Sequence, residues 1–131
     1  MIDLDHLAVQ LGVTVVEHDG GTKGYYDHSA RTISLRRDLL DVPRRCTLAH
    51  ELGHAVHGDT LTGITHLDRA MERRADRFAA NLLIDPAAYR AAEAQCSHPG
   101  HIARELGVTL HLLEVWQTMH QRIKEHEYQH S

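Results

Sequence analysis

"TLAHELGHAVHG", Thr47 to Gly58, decides how the rest of the chain is read. His50, His54 and His57 share eight positions with Glu51. A helix makes sense of that spacing. Residues four apart lie on one helical face, with about 6 Å of rise between them. His50 and His54 can therefore aim ring nitrogens at one ion, at roughly 2.0–2.1 Å each. Glu51 stands about 100° around the helix from His50. It flanks such an ion without ligating it, where a base for an activated water has to sit. Leu48, Leu52 and Ala55 form an apolar stripe, and Ala49, Gly53 and Val56 permit close approach of a neighbour.

A zinc hydrolase site needs a third protein ligand and an open fourth position. His57 shares the face of His50, but three residues along one straight helix spread over about 10 Å of axis, too far for one tetrahedral shell. His57 is instead expected to line the cleft or to hydrogen-bond near the helix end. Glu72 lies on the next helical segment and can complete the shell. Asp76, one turn on, can accept the other ring N–H of a ligating histidine and so fix its tautomer. The bland alternative is a solvated acidic face, because Arg69, Arg73, Arg74 and Arg77 are interleaved with these carboxylates. Thirteen histidines make chance recurrence real, and "HEYQH" (His126 to His130) repeats the pattern. That copy sits at a chain end with no downstream residue to act as third ligand, so it reads as a solvated tail.

Working outward, Leu4 to Gly12 reads as a short helix closed by Gly12. "VTVVEH" is β-branched and reads as a strand. A hairpin follows, Lys23 to Asp27 and Arg31 to Leu35. Asp41 can N-cap the His50 helix, with Pro43 in its first turn and Gly58 at its end. Asp68 is the expected cap of the next helix, with Met71, Ala75, Phe78 and Leu82 as its buried stripe. Asp85 and Pro86 start another helix, running to about Gln95. "SHPG" breaks it, a helix follows to Leu106, and a last one runs from Thr109 to about Glu125. "LAVQLGVT" and "IARELGVT" echo one another, which two helix ends with the same glycine cap explain.

The chain has 131 residues, 42% of them hydrophobic, enough for one domain with a modest core. Its net charge of -4, with both signs interspersed, argues against a direct nucleic-acid surface. The helix-turn-helix spacing of "IARELGVTLHLLEVW" does not reverse this, because its second helix offers poor phosphate chemistry. Cys46 and Cys96 form no C-x-x-C pair and read as buried, reduced thiols of a cytoplasmic protein. No signal peptide or bilayer-spanning segment is expected.

"RRCTLAHELGHAVHG" followed by "ERRADRFAANLLIDP" resembles the ImmA/IrrE family of gluzincin-type metallopeptidases. The resemblance covers about Ser34 to Pro86, and "IARELGVTLHLLEVW" is similar to the family's C-terminal helices. It implies an α+β fold, a small N-terminal three-stranded sheet packed on a zincin-like helical core with C-terminal helices. The sheet part would span about 1–40, the metal-site helices about 41–84 and the C-terminal helices about 86–125, within a single domain, 1–131. It also implies zinc on His50, His54 and Glu72, with Glu51 as general base. Its implied substrate is a protein, commonly a helix-turn-helix repressor whose cleavage switches on a mobile element or stress response. The alternative is a catalytically weak, zinc-stabilised partner of a repressor or toxin–antitoxin-like component. For the transition-state donor, His57, His66, Tyr25, Tyr26 and Tyr89 all stay open. One further expectation concerns substrate. Arg31, Thr32, Ile33, Ser34 and Leu35 alternate polar and apolar just before the metal helix. They are expected to form a sheet edge that holds an extended peptide by strand addition.

Overall fold

β-branched and aromatic residues in the N-terminal third build three strands: β1 (Thr14–His18), β2 (Gly24–Asp27) and β3 (Thr32–Arg36). The computed structural model describes residues 2–130, with side chains as far as Gln121. The strand order is β1-β3-β2. β1 runs parallel to β3, with Val15 opposite Ile33. β2 runs antiparallel to it, with Tyr26 opposite Ile33. β3 is thus the central strand, and Ile33 and Leu35 are fully buried.

This overturns the expected sheet edge at Arg31 to Leu35. The β2–β3 hairpin tucks its second strand against β1, so both sides of β3 are occupied by neighbours. No backbone group of β3 is left for a peptide to pair with. Arg31 serves the fold differently. With φ of 48° it turns the chain, and its guanidinium donates to Leu11 O at 2.6 Å, at the end of the first helix. The free edge facing the helices is β2.

Six helices follow the sequence punctuation. In α1 (Leu4–Gln10), Asp3 accepts from His6 N at 3.1 Å. α2 (Asp41–His57) ends at Gly58, whose φ of 65° suits a residue without a Cβ. Asp41 is not its cap; Leu40 holds that position with no side-chain bond, and Asp41 is the first helical residue. α3 (Thr65–Leu83) starts before Asp68. From inside the first turn, Asp68 accepts from Thr62 N at 2.9 Å and Thr62 Oγ1 at 2.8 Å, fastening the preceding loop instead of capping the helix. α4 (Pro86–Gln95) is capped by Asp85, and α5 (Pro99–Leu106) carries Pro99 in its first turn. α6 (Leu110–His130) runs past the expected end near Glu125. The side chains of the second H-E-x-x-H copy, His126 to His130, lie outside the described residues.

The two "LGVT" echoes are matching helix ends. Val13 N–H reaches Ala8 O at 2.9 Å, and Val108 N–H reaches Ala103 O at 3.1 Å, with Gly12 and Gly107 both at positive φ. The core lies between sheet and helices, around Leu35, Leu48, Leu52, Ile102 and Leu113. α3 is rotated from the expected stripe. It buries Ala75, Ala79, Ala80 and Leu83, while Met71, Phe78 and Leu82 are half-buried. Small residues win that face because α2 comes very near: a Cβ on Gly53 would stand 3.0 Å from Ala75 Cα. Of the two free thiols Cys46 is buried, but Cys96 is exposed, against the expectation for both.

Candidate metal centre

The Gly53–Ala75 contact sets two helical faces against each other, within one turn of His50, His54, Glu72 and Asp76. From α2, His50 and His54 project with ring centroids 4.8 Å apart and planes nearly perpendicular. From α3, Glu72 meets both. Its Oε2 lies 2.9 Å from His50 Nε2, and its Oε1 lies 2.9 Å from His54 Nε2. Glu51 sits beside them with only 6% exposure, and its ligand atom lies within 4.8 Å of those of His50 and His54. Among the described residues nothing hydrogen-bonds its carboxylate.

Each histidine is held from behind by a second carboxylate. His50 Nδ1 lies 2.7 Å from Asp76 Oδ1, and His54 Nδ1 lies 2.9 Å from Asp59 Oδ2. Asp59 is itself paired with Arg74, and Asp76 with His111 Nε2 at 2.8 Å. A carboxylate behind Nδ1 makes that nitrogen the N–H, so each Nε2 presents a lone pair. Two lone pairs then face an anionic carboxylate, and three acceptors converging on one point require a cation or protons between them. The group His50, Glu51 and His54, with Glu72 opposite, therefore has the donor chemistry of a metal site.

The titration behaviour follows the same geometry. Burial works against a charged His50, yet the Asp76 hydrogen bond and the charges of Glu51, Asp76 and Glu72 push its pKa up to about 9. Burial pushes the Glu51 carboxyl up, while His50 and His54 pull it back down. Burial also works against the Asp76 carboxylate, but hydrogen bonds from His50 and His111 hold it below its usual range.

The site floors a cleft of about 550 Å³, walled by Gly24 to Tyr26 of β2, by Leu61 and Met71, and by His111 and Leu112. Tyr25 and Tyr26 thus face it. Tyr89 does not, and His57 takes the other of its two expected roles, a hydrogen bond near the helix end. His57 Nδ1 lies 2.7 Å from Gly53 O, and its ring packs edge-on to Phe78. Tyr89 lies in a separate groove beside Trp116, donating to Glu93 at 2.8 Å and accepting from Gln117 at 3.1 Å. His66, in the first turn of α3, is exposed and does not line the cleft.

Sequence reasoning missed Asp59, Arg74 and His111. Asp59 had a local signal. The Gly58 turn returns its N–H to His54 O at 2.9 Å, which puts its side chain beside His54. His111 had none, since it arrives from a different helix.

The family model for the IrrE N-terminal-like domain, Peptidase_M78, matches residues 8–115. No curated protein matches the chain. Among solved structures, a Mycobacterium tuberculosis transcriptional regulator shares the fold, with a TM-score of 0.60 at 21% identity. The match covers 83% of this chain but 38% of that regulator's length. No helix among the described residues is long and apolar enough to cross a membrane. With the family match spanning both metal-site helices and the strands before them, this chain belongs to the IrrE N-terminal-like family of metallopeptidase domains.

Proposed function

We propose that the protein is a zinc-dependent endopeptidase that cuts a helix-turn-helix repressor, in the cytoplasm, to switch on a mobile element or stress response. One observation carries the chemistry: both Nε2 atoms converge on Glu72 beside a buried, unbonded Glu51. Two imidazoles and a carboxylate are a donor set that catalytic zinc uses. Zinc, when bound, supplies Lewis acidity that polarises a scissile carbonyl and makes water a nucleophile near neutral pH.

The chain's own residues do the rest. His50, His54 and Glu72 hold the ion, while Asp76 and Asp59 keep the ring tautomers fixed. Glu51 takes the proton of the attacking water and returns it to the leaving amine. Its burial suits that role, because a carboxylate pushed upward is a better base. The β2 edge can hold the peptide. Arg36 N–H donates to Lys23 O at 2.8 Å, so Lys23 faces β3. Antiparallel alternation then turns Gly24 and Tyr26 outward. Gly24 packs on Thr47, one turn before His50, so a peptide paired there passes the metal ligands. The repressor as substrate comes from the family resemblance, and a regulatory setting agrees with the solved relative, itself a transcriptional regulator.

The test is incubation of zinc-loaded protein with the repressors encoded beside it, alongside Glu51→Gln. Cleavage by the parent and none by the variant is expected. A zinc-loaded parent that leaves every such repressor intact sinks the endopeptidase reading.

A further inference from the structure

Asp76 holds two histidines at once. Oδ1 faces His50 Nδ1 at 2.7 Å, and Oδ2 faces His111 Nε2 at 2.8 Å. His111 stands in the first turn of α6, beside the buried Leu112 and Leu113, so its backbone is anchored in the core. Its side chain is 66% exposed and lines the same cleft as Glu51 and Glu72. With Nε2–H donating to Asp76, the tautomer is set. The other ring nitrogen, Nδ1, has no partner among the described residues.

The two cleft tyrosines have neighbours of their own. Tyr26 Oη is bonded to His28 Nδ1 at 2.9 Å, and the Tyr25 ring leans on His18 at 5.4 Å. We infer that His111 is a further catalytic residue: its Nδ1 accepts a hydrogen bond from a main-chain N–H of the bound peptide beside the metal, with Asp76 orienting the ring. Asp76 then aligns a metal ligand and a peptide contact together. This inference rests on the metallopeptidase reading above.

The probe is a peptide phosphonamidate, whose tetrahedral anionic centre imitates the transition state of amide hydrolysis. Its affinity for zinc-loaded protein is measured by calorimetry, and zinc affinity is measured separately by chelator competition. His111→Gln places an amide nitrogen where Nε2 stood, keeping the bond to Asp76 while removing the group at Nδ1. It is expected to hold zinc within threefold of the parent and to lose at least tenfold in phosphonamidate affinity. His111→Ala, an exposed truncation, is expected to lose at least as much. A smaller loss in His111→Gln overturns the inference. So does a fall in its zinc affinity in step with the probe, which makes His111 a positioning residue only. A zinc-loaded parent that fails to bind the phosphonamidate defeats the metallopeptidase reading and His111 with it. A parent that binds the probe beside unaffected variants defeats His111 alone.

Discussion

Glu51, His50 and the carboxylates behind the histidines each make a separable prediction. Glu51→Gln preserves volume but cannot carry a proton at neutral pH, so cleavage should fall by about 10²–10⁴-fold with zinc content unchanged. Asp76→Asn and Asp59→Asn should each weaken zinc by about 10–100-fold, read by chelator competition. Truncating Arg74 should weaken it less, because Arg74 acts only through Asp59. His50 links stability to pH. Its folded pKa of about 9 lies above the ordinary 6.5, so the metal-free protein gains stability from it below pH 6.5 and loses that gain as pH rises toward 9. Zinc displaces that proton, so the loss should vanish in the zinc-loaded protein. Thermal melts at pH 6 and pH 9, with and without chelator, check this. A metal-free protein no less stable at pH 9 would remove the proton from His50.

At the scale of elements, spacing along one helix is legible and the order of strands is not. His50 and His54 sit four apart, as do Glu72 and Asp76, and helical geometry alone puts each pair on one face. Nothing local reports that β3 lies between β1 and β2, since proximity in sequence to α2 does not make a strand an edge. His111 was hidden for a similar reason: it reaches Asp76 across 35 residues. Two substitutions test the element geometry. Tyr26→Pro removes an outward N–H from β2 without touching the β3 ladder, so it should raise KM while the fold persists, with Tyr26→Phe as control. An unchanged KM would exclude pairing at that position. Gly53→Ala gains up to about 1 kcal/mol of helix propensity but must push α3 away. Overpacking costs about 1–3 kcal/mol, so the net effect should be destabilising, read by urea unfolding. Because α3 carries Glu72 and Asp76, zinc affinity should fall with it.

For the whole molecule, a metal on the proposed ligands would join α2 to α3, and ligand linkage sets the scale. Zinc at a thousandfold excess over its Kd adds about 4 kcal/mol if only the folded state binds it. For a chain of this size that corresponds to roughly 15 °C in Tm, which a melt with and without chelator measures. Deleting residues 126–131 should leave both zinc content and Tm unchanged; loss of the metal would move the binding site to the second H-E-x-x-H copy.

The ligands also bear on how the molecule assembles. His50, His54 and Glu72 lie within a sequence separation of 22, on two consecutive helices. By contrast β1 must find β3 across the intervening β2 hairpin. Closing a loop of about 20 residues is fast, and non-local strand pairing is the slow step in mixed folds. On the proposed reading the α2–α3 hairpin would capture zinc while the sheet is still unformed, making the ion a nucleus for folding as well as a cofactor. Stopped-flow refolding should then accelerate with zinc. The Tm gain should fall short of the linkage value, because the early hairpin binds metal too.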